Sequence, residues 1–514
     1  MGDRLLYLLL CSCLLLLSTV SGAELSVSPG DQALAKAIDR AEEGDTLSVQ
    51  PGVYRETIRI EKSLTLRALP GAVLDGATQF RAEWSTSGDG VFTTPLKKRP
   101  FGLLADGKFI AEIRYDRAKG KGDWNWQTLL SKGPPLSGFE QIRALWMYHP
   151  DEGKLYARFE GGTAPAGLSL HIVQSDAALL TVAKASGVVV EGFTFAHGSE
   201  AIVVEGGAAG TIIRHCKITS FERTGVVITG EASRCTVEDC DITRGALEEW
   251  QPSAEHSRPN YEIWRIHKEV GLYDRVGIEL FRAGSDNRIL RNHLDRVFDG
   301  ICVGDYKCES LDKPLTDPDH GRGTEIAANV IENTRDSGIE LGVGCIDVNV
   351  HHNTLRRTHG GLRFKVPRIG PVFIHHNRLM DGSPFNIWFS MDASLAEGYV
   401  YHNTINGGGS AALAFSSFNA QRDFAAPKWH FVNNLVISKE GFFEQRPKTP
   451  KPDFEASHNV VTQGLAGTDE PPGNSAAVDA GLDLSTYRAG QPLPGCEPGY
   501  FKGKAPDAGA DEWK

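Results

Sequence analysis

One short signature recurs along the second half of the chain, and it limits the available folds more than any other feature. It consists of a polar residue, Asn, one further residue, then Ile, Leu or Val. It reads Arg291-Asn292-His293-Leu294, Ala328-Asn329-Val330-Ile331, His352-Asn353-Thr354-Leu355 and His376-Asn377-Arg378-Leu379. It continues as His402-Asn403-Thr404-Ile405, Asn433-Asn434-Leu435-Val436 and His458-Asn459-Val460-Val461, with Cys216 and Cys240 at the Asn place of two earlier copies. The commonest spacing is 24 to 26 residues, and wider gaps such as Cys240 to Asn292 mark insertions. A second short strand follows each copy and begins at glycine: Gly225-Val226-Val227-Ile228, Gly277-Ile278-Glu279-Leu280, Gly300-Ile301-Cys302-Val303, Gly338-Ile339-Glu340-Leu341 and Gly361-Leu362-Arg363-Phe364. Two or three strands in so short a repeat cannot bury their apolar sides alone. Stacked as turns of a coil, their inward residues form one core. The expectation is therefore an all-β solenoid. Asn at a fixed place in each turn suits a left-handed backbone turn, and its stacked amides can hydrogen-bond up the ladder.

The two ends carry different signals. Arg4, the apolar run Leu5 to Leu17 and the small residues Ser21-Gly22-Ala23 have the layout of a secretory signal peptide. The run is too short for a comfortable membrane span, and no later stretch is long and apolar enough, so no membrane insertion is expected. The mature chain is expected to start at Glu24, in a secreted or periplasmic location. A net charge of −11 and a pI near 5.8 speak against nucleic acid as a partner, because phosphate binding wants a basic surface. Of nine cysteines, Cys11 and Cys13 lie inside the apolar run, which leaves an odd number. Cys216, Cys235, Cys240, Cys302 and Cys345 fall at strand-like places and read as small buried side chains; a Cys302–Cys308 disulfide is an alternative in an oxidising compartment.

Near the N-terminus, Gly44 to Tyr54 is followed by Ile58-Arg59-Ile60 and Leu64-Thr65-Leu66, and Ala33 to Ala41 has the pattern of a short amphipathic helix suited to capping an open coil end. Between about Phe80 and Gln174 the repeat lapses into a Trp-rich stretch with strand-like pieces Phe109–Arg114 and Lys154–Phe159. These features, with the Asn repeat and the ending Pro506 to Trp513, resemble the pectate-lyase-like right-handed parallel β-helix superfamily over nearly all of the mature chain. The inserted stretch is similar to that of β-helix glycoside hydrolases of the fucosidase, xylanase and xylosidase kinds. The resemblance implies a right-handed parallel β-helix acting on a carbohydrate. The organisation expected is a signal peptide over 1–23, a cap and first turns over 24–79, and an inserted β-rich subdomain over 80–174. The main coil follows over 175–465, with loop insertions near 243–274 and 305–322, and a tail over 466–514 packs on it.

Alternation then places the chemistry. If Ile278 and Leu280 face inward, Glu279 faces out, and the same register gives an outward column of Val203, Val227, Glu279, Cys302, Glu340, Arg363 and Trp388, with Lys365 on the next outward place. Strands about 4.8 Å apart put Glu279 and Glu340 roughly 9.6 Å apart at the backbone, near the separation of an inverting glycosidase pair. Asp299 and Asp336, at the turns before consecutive strands, form a second candidate pair at closer range, although Asp-Gly and Asp-Ser-Gly also suit plain turns. His359, before Gly360-Gly361, is placed at the mouth of the charged face as an acid or base. Two insertions flank that face: one brings Trp250, Tyr261 and Trp264, suited to stacking on sugar rings, and the other brings Asp305. His352, His376, His402 and His458 form a column beside the Asn ladder and read as stacked polar residues rather than metal ligands.

Three functions fit these residues. A glycoside hydrolase would use Glu340 with Asp336, Asp299, Asp305 or Glu279 as partner, with Arg363, Lys365 and His359 orienting hydroxyls or tuning the carboxylates. A polysaccharide lyase would take its base from Lys365, Arg363 or His359, with Ca²⁺ held by Glu279, Glu340 and Asp305. Gly338 to Cys345 lacks the lysine that alginate and dermatan lyases of this fold carry there, which counts against that reading. A non-catalytic carbohydrate-binding or adhesion protein is the third. The expected partner is a poly- or oligosaccharide, and the hydrolase needs no cofactor.

Overall fold

Alternation along single strands sets the architecture. In the strand Val276–Phe281, Ile278 and Leu280 are buried in the core while Glu279 between them is half-buried on the other face. The same pattern, turn after turn, brings Leu47, Ile60, Val190, Phe195, Ile202, Val226, Ile301, Ile339, Leu362 and Val400 into one continuous core. The computed structural model describes residues 22–113, 144–244, 275–304, 321–342, 345–365, 370–382, 386–390, 397–407, 413–416, 428–438, 454–462 and 476–511. Trp250, Tyr261, Trp264, Asp305, Cys308 and most of the expected signal peptide lie outside the described residues.

Among the described residues, three long parallel sheets of 13, 12 and 10 strands run along the coil. One rung takes a strand from each: Val189–Glu191 in the first sheet, Thr194–Ala196 in the second and Glu200–Glu205 in the third. Each pairs in parallel with its counterpart in the next rung, Ile212–Arg214, Lys217–Thr219 and Thr224–Thr229.

The Asn ladder turns the corner from the first sheet to the second. Asn329 Oδ1 accepts hydrogen bonds from Asn292 N at 2.9 Å and Asn292 Nδ2 at 3.0 Å, and Asn353 serves Asn329 in the same way. The series runs on through Asn377, Asn403, Asn434 and Asn459, and at its lower end Asn292 Oδ1 accepts from Cys240 N. One expectation needs correcting. The left-handed residue is not Asn but the one before it: Arg291, Ala328, His352, His376, His402, Asn433 and His458 all have φ between 49° and 57°. That bend swings the following Asn inward, where its amide satisfies backbone groups of adjacent rungs that would otherwise be buried unpaired.

Glycine marks the corner from the second sheet to the third, for a steric reason. A Cβ on Gly300 would lie 2.2 Å from Gly338 O and 2.8 Å from Ile331 Cγ2; on Gly338 it would lie 2.7 Å from Leu355 Cδ2. Interior Leu and Ile side chains fill the space a side chain would need, so these rungs pack closely only with glycine there.

The helix Ala33–Arg40 closes the N-terminal end of the core with Leu34, Ala37 and Ile38. Glu56 caps it by accepting from Leu34 N at 3.1 Å and Ala35 N at 3.0 Å. Between the first rungs and the rest, strands from Ala77–Gln79 to Leu170–Val173 build two small sheets of four and five strands. These have their own core of Leu103, Ile110, Trp146, Leu155, Phe159 and Ile172. At the far end, residues of the 476–511 stretch pack Leu484, Leu493 and Cys496 against Phe373, Tyr399, Tyr401 and Val432 of the coil. Cys216, Cys235, Cys240, Cys302 and Cys345 are all buried.

Candidate active site

The third sheet carries the outward column in the register read from the sequence. Val203 pairs with Val227, Val227 with Glu279, Glu279 with Cys302, Cys302 with Glu340, Glu340 with Arg363, and Arg363 with Trp388. The first members are apolar, and Val203 and Val227 are buried together with Ala178. From Glu279 onward the column becomes ionisable. Glu279 and Glu340 are therefore two rungs apart, about 10 Å at the backbone.

Around Glu340 the side chains converge. Glu340 Oε2 accepts from Ser337 Oγ at 3.0 Å and lies 3.6 Å from Arg363 Nη1. The same nitrogen donates to Asp336 Oδ1 at 3.1 Å. One guanidinium N–H group thus faces two carboxylates, which confines their nearest oxygens to within about 7 Å, a limit compatible with the spacing of glycosidase acid pairs. Asp299 accepts from Ser337 N at 3.0 Å. The Arg363 guanidinium lies 4.4 Å over the Trp388 ring, a cation–π contact that fixes its plane. His359 meets the edge of the same ring, 6.1 Å between centroids.

Burial corrects two expectations. Glu340 points away from the core as the register requires, yet it is only 3 % exposed, and Asp336 and Asp299 are 5 % each. Ser337 and the Arg363 guanidinium, itself backed by Trp388, lie against the carboxylates. His359 does not stand at a mouth; it is 0 % exposed. Burial pushes its pKa down to about 4, a shift that Asp336 opposes and Arg363 reinforces, so the ring is neutral at neutral pH. For Arg363, burial opposes the charge, but Asp336, Glu340 and Asp299 outweigh it and raise the pKa.

Register sets Asp299 opposite Ser337, and Asp336 N bonds to Phe298 O, so the two acids are offset by one residue along the corner. For Lys365 only the backbone place is described, opposite Ser390. Asp305, Trp250, Tyr261 and Trp264 lie outside the described residues, so the site is built from Glu279, Asp299, Asp336, Glu340, His359, Arg363 and Trp388. Ser337 joins them and was not singled out in the sequence. Its signal is the Ser of Asp336-Ser337-Gly338, which makes both a side-chain and a main-chain contact where the preceding rung has only Asp299-Gly300.

A second buried charged group, also missed, continues the corner toward the N-terminus. Arg275 Nη2 donates to Glu222 Oε1 at 2.9 Å, and Arg99 Nη2 lies 3.8 Å from that oxygen. Arg99 also grips Glu112 with two bonds, Nε to Oε1 at 2.7 Å and Nη2 to Oε2 at 2.5 Å. Burial raises the Glu222 pKa against the opposing pull of Arg275 and Arg244.

Among the described residues no cluster of three or more His, Cys, Asp or Glu is arranged to hold a metal ion, and no helix is long and apolar enough to cross a membrane. The right handed beta helix region family model matches residues 169–364. A comparison with curated proteins finds no match. Among solved structures the chain is similar to the complex structure of XylC with xylose, at 14% identity over 90% of each chain with a TM-score of 0.52. It also aligns with a glycoside hydrolase, at 11% identity over 86% of this chain and 96% of the other with a TM-score of 0.49. A third is pectate lyase Pel9A, at 12% identity over 96% and 97% with a TM-score of 0.45. The stacked parallel sheets and the Asn ladder, with the right handed beta helix region model matched over residues 169–364, give the chain the right-handed parallel β-helix fold.

Proposed function

We propose that this protein is a secreted glycoside hydrolase that cleaves a poly- or oligosaccharide on the outer face of the third sheet. The observation that carries the reading is the buried carboxylate pair, Asp336 and Glu340, facing one guanidinium nitrogen of Arg363. Glycoside hydrolysis needs two carboxyl groups, one to protonate the leaving oxygen and one to act on the anomeric carbon or on water. The asymmetry of the pair suits that division. Asp336 has the shorter ion contact with Arg363 and takes the base or nucleophile role; Glu340, hydrogen-bonded to the neutral Ser337 hydroxyl, takes the acid role. Asp299 fixes Ser337 through its backbone N–H, and Trp388 offers an aromatic surface beside the reacting groups. The fold likeness to XylC, solved with xylose, supports a saccharide ligand.

Elimination from a uronate is less well supported. It needs a cation to neutralise the substrate acid, and Arg363 is already held by Asp336, Glu340 and Trp388. Burial lowers the His359 pKa to about 4, which leaves it too weak a base for proton abstraction from carbon.

The test is incubation with xylan, α-1,3-glucan, pectate and alginate, each with added calcium and with chelator. New reducing ends without the ultraviolet absorbance of unsaturated uronates are expected, and Glu340→Gln should abolish them while leaving the circular dichroism spectrum unchanged. A rising uronate absorbance would establish elimination instead. Binding without any turnover would leave a carbohydrate-binding protein.

A further inference from the structure

The corner that carries Asp336 and His359 can be followed rung by rung toward the N-terminus. His359 N bonds to Asp336 O, Asp336 N to Phe298 O, Phe298 N to Arg275 O, and Val276 N to Arg223 O. A glycan lying along the coil beside the candidate acids would have to follow this corner. It meets an obstruction at Arg275. There the guanidinium turns to Glu222, Glu222 faces Arg99, and Arg99 holds Glu112 through two bonds. Arg99 and Glu112 belong to the inserted unit, with Glu112 on the strand Ala111–Glu112 of its five-stranded sheet. Glu112, Glu222 and Arg275 are all buried. Buried, paired charges of this kind are not moved aside without leaving an uncompensated charge behind.

From Arg275 to Asp336 is two rungs, about 10 Å, which leaves a short stretch of face between the acids and the obstruction.

Resting on the hydrolase reading, we propose that the inserted unit walls off the N-terminal end of the site, so that the enzyme removes short units from chain ends rather than cutting inside a polymer. Arg99, Glu112, Glu222 and Arg275 are then specificity-determining residues. They set how much chain fits on one side of the scissile bond, and none of them needs to touch the reacting atoms.

The experiment is a time course on xylan and α-1,3-glucan and on their reducing-end-labelled oligosaccharides of two to six units, with products sized by chromatography. A single short product from the first time point is expected, with a slow decline in polymer size and stepwise shortening of the oligosaccharides. An early ladder of mid-length fragments with a rapid fall in viscosity would overturn the wall. Absence of product on every glycan overturns the hydrolase reading itself, which keeps the two failures apart. In Glu112→Gln the grip on Arg99 is weakened, and the share of mid-length products should rise several-fold. An unchanged profile in a folded variant would also count against the wall. If that variant does not fold, the wild-type product pattern alone decides.

Discussion

Acidification to pH 5 should loosen the C-terminal rungs of this coil long before it dissolves the rest, because a block of imidazoles there is built to be neutral. His351 stacks on His375 at 5.0 Å, and His375 on Tyr401 at 4.9 Å. Alongside, His352 stacks on His376 at 5.0 Å and His376 on His402 at 5.1 Å. The two columns are joined rung by rung through Nδ1 contacts of 2.9 Å (His351 with His352) and 2.8 Å (His375 with His376). In each contact one ring donates and the other accepts, so neither pair can be doubly protonated without loss of the contact. The polar groups facing the block are Glu325 on His351, Asn349 on His375 and Asn433 on His402. Tyr500 lies against His402, and Asp511 acts weakly on His352. Burial, with the neighbouring imidazoles, pushes His376 down to about 3 and His375 well below its ordinary value; burial pushes His402 to about 4.

The sign follows from linkage. The unfolded chain takes up protons as pH falls through about 6.5, while the folded block does not, so stability is complete above that pH and is lost on the way down toward 4. Each buried neutral imidazole costs about 1.4 kcal/mol per pH unit below 6.5, or about 2 kcal/mol at pH 5. His376 and His402 together give about 4 kcal/mol, comparable to the whole stability of a marginal domain, and His375 acts in the same direction. Asp75 and Glu325, both held below their ordinary values, act in the same direction only as the pH approaches the carboxylate range. The loss should appear first in hydrogen exchange of the amides from Val348 to Asn406 and across 476–511, where Tyr401 Oη donates to Pro494 O and Asn433 Nδ2 to Leu482 O. Urea melts at pH 7.5, 6 and 5 measure the slope, and His376→Asn should reduce it by about one proton. Stability unchanged between pH 7.5 and 5, or a variant with the wild-type slope, would refute the reasoning.

Other perturbations separate packing from chemistry. Gly300→Ala should lose about 3 kcal/mol or fail to fold in thermal melts, since its Cβ would sit 2.2 Å from Gly338 O. Asn353→Leu removes the acceptor for Asn329 N and Nδ2 and the donor to Ile326 O, and should cost about 3 kcal/mol in urea titration. Arg363→Lys keeps the charge but cannot both bridge two carboxylates and stack on Trp388. On whichever glycan the wild type cleaves, kcat should fall about 100-fold with little change in the melting temperature.

Why the register was legible while the burial was not has a physical answer. Side chains alternate with period two, and parallel rungs stack in register, so assigning Ile278 and Leu280 to the core also assigned Glu279, Cys302, Glu340, Arg363 and Trp388 to one outward column. That inference uses only neighbours in sequence and one repeat length. Whether an outward side chain meets water depends instead on what lies across it, and that is decided by residues far away in the chain. Glu340 meets Arg363 and Ser337, one contact from the next rung and one from its own corner. Glu222 is buried through Arg275 and Arg99, the latter from a unit inserted more than a hundred residues earlier. The misplaced left-handed residue has a related cause. Asn tolerates that conformation, but its amide is worth more turned inward to bridge Ile326 and Asn377, as at Asn353, so the strain passes to whichever residue precedes it, even to Ala328. Local preference thus yields wherever a buried backbone group needs a partner, and in this coil the residues that break the simple expectation are those that connect one rung to the next.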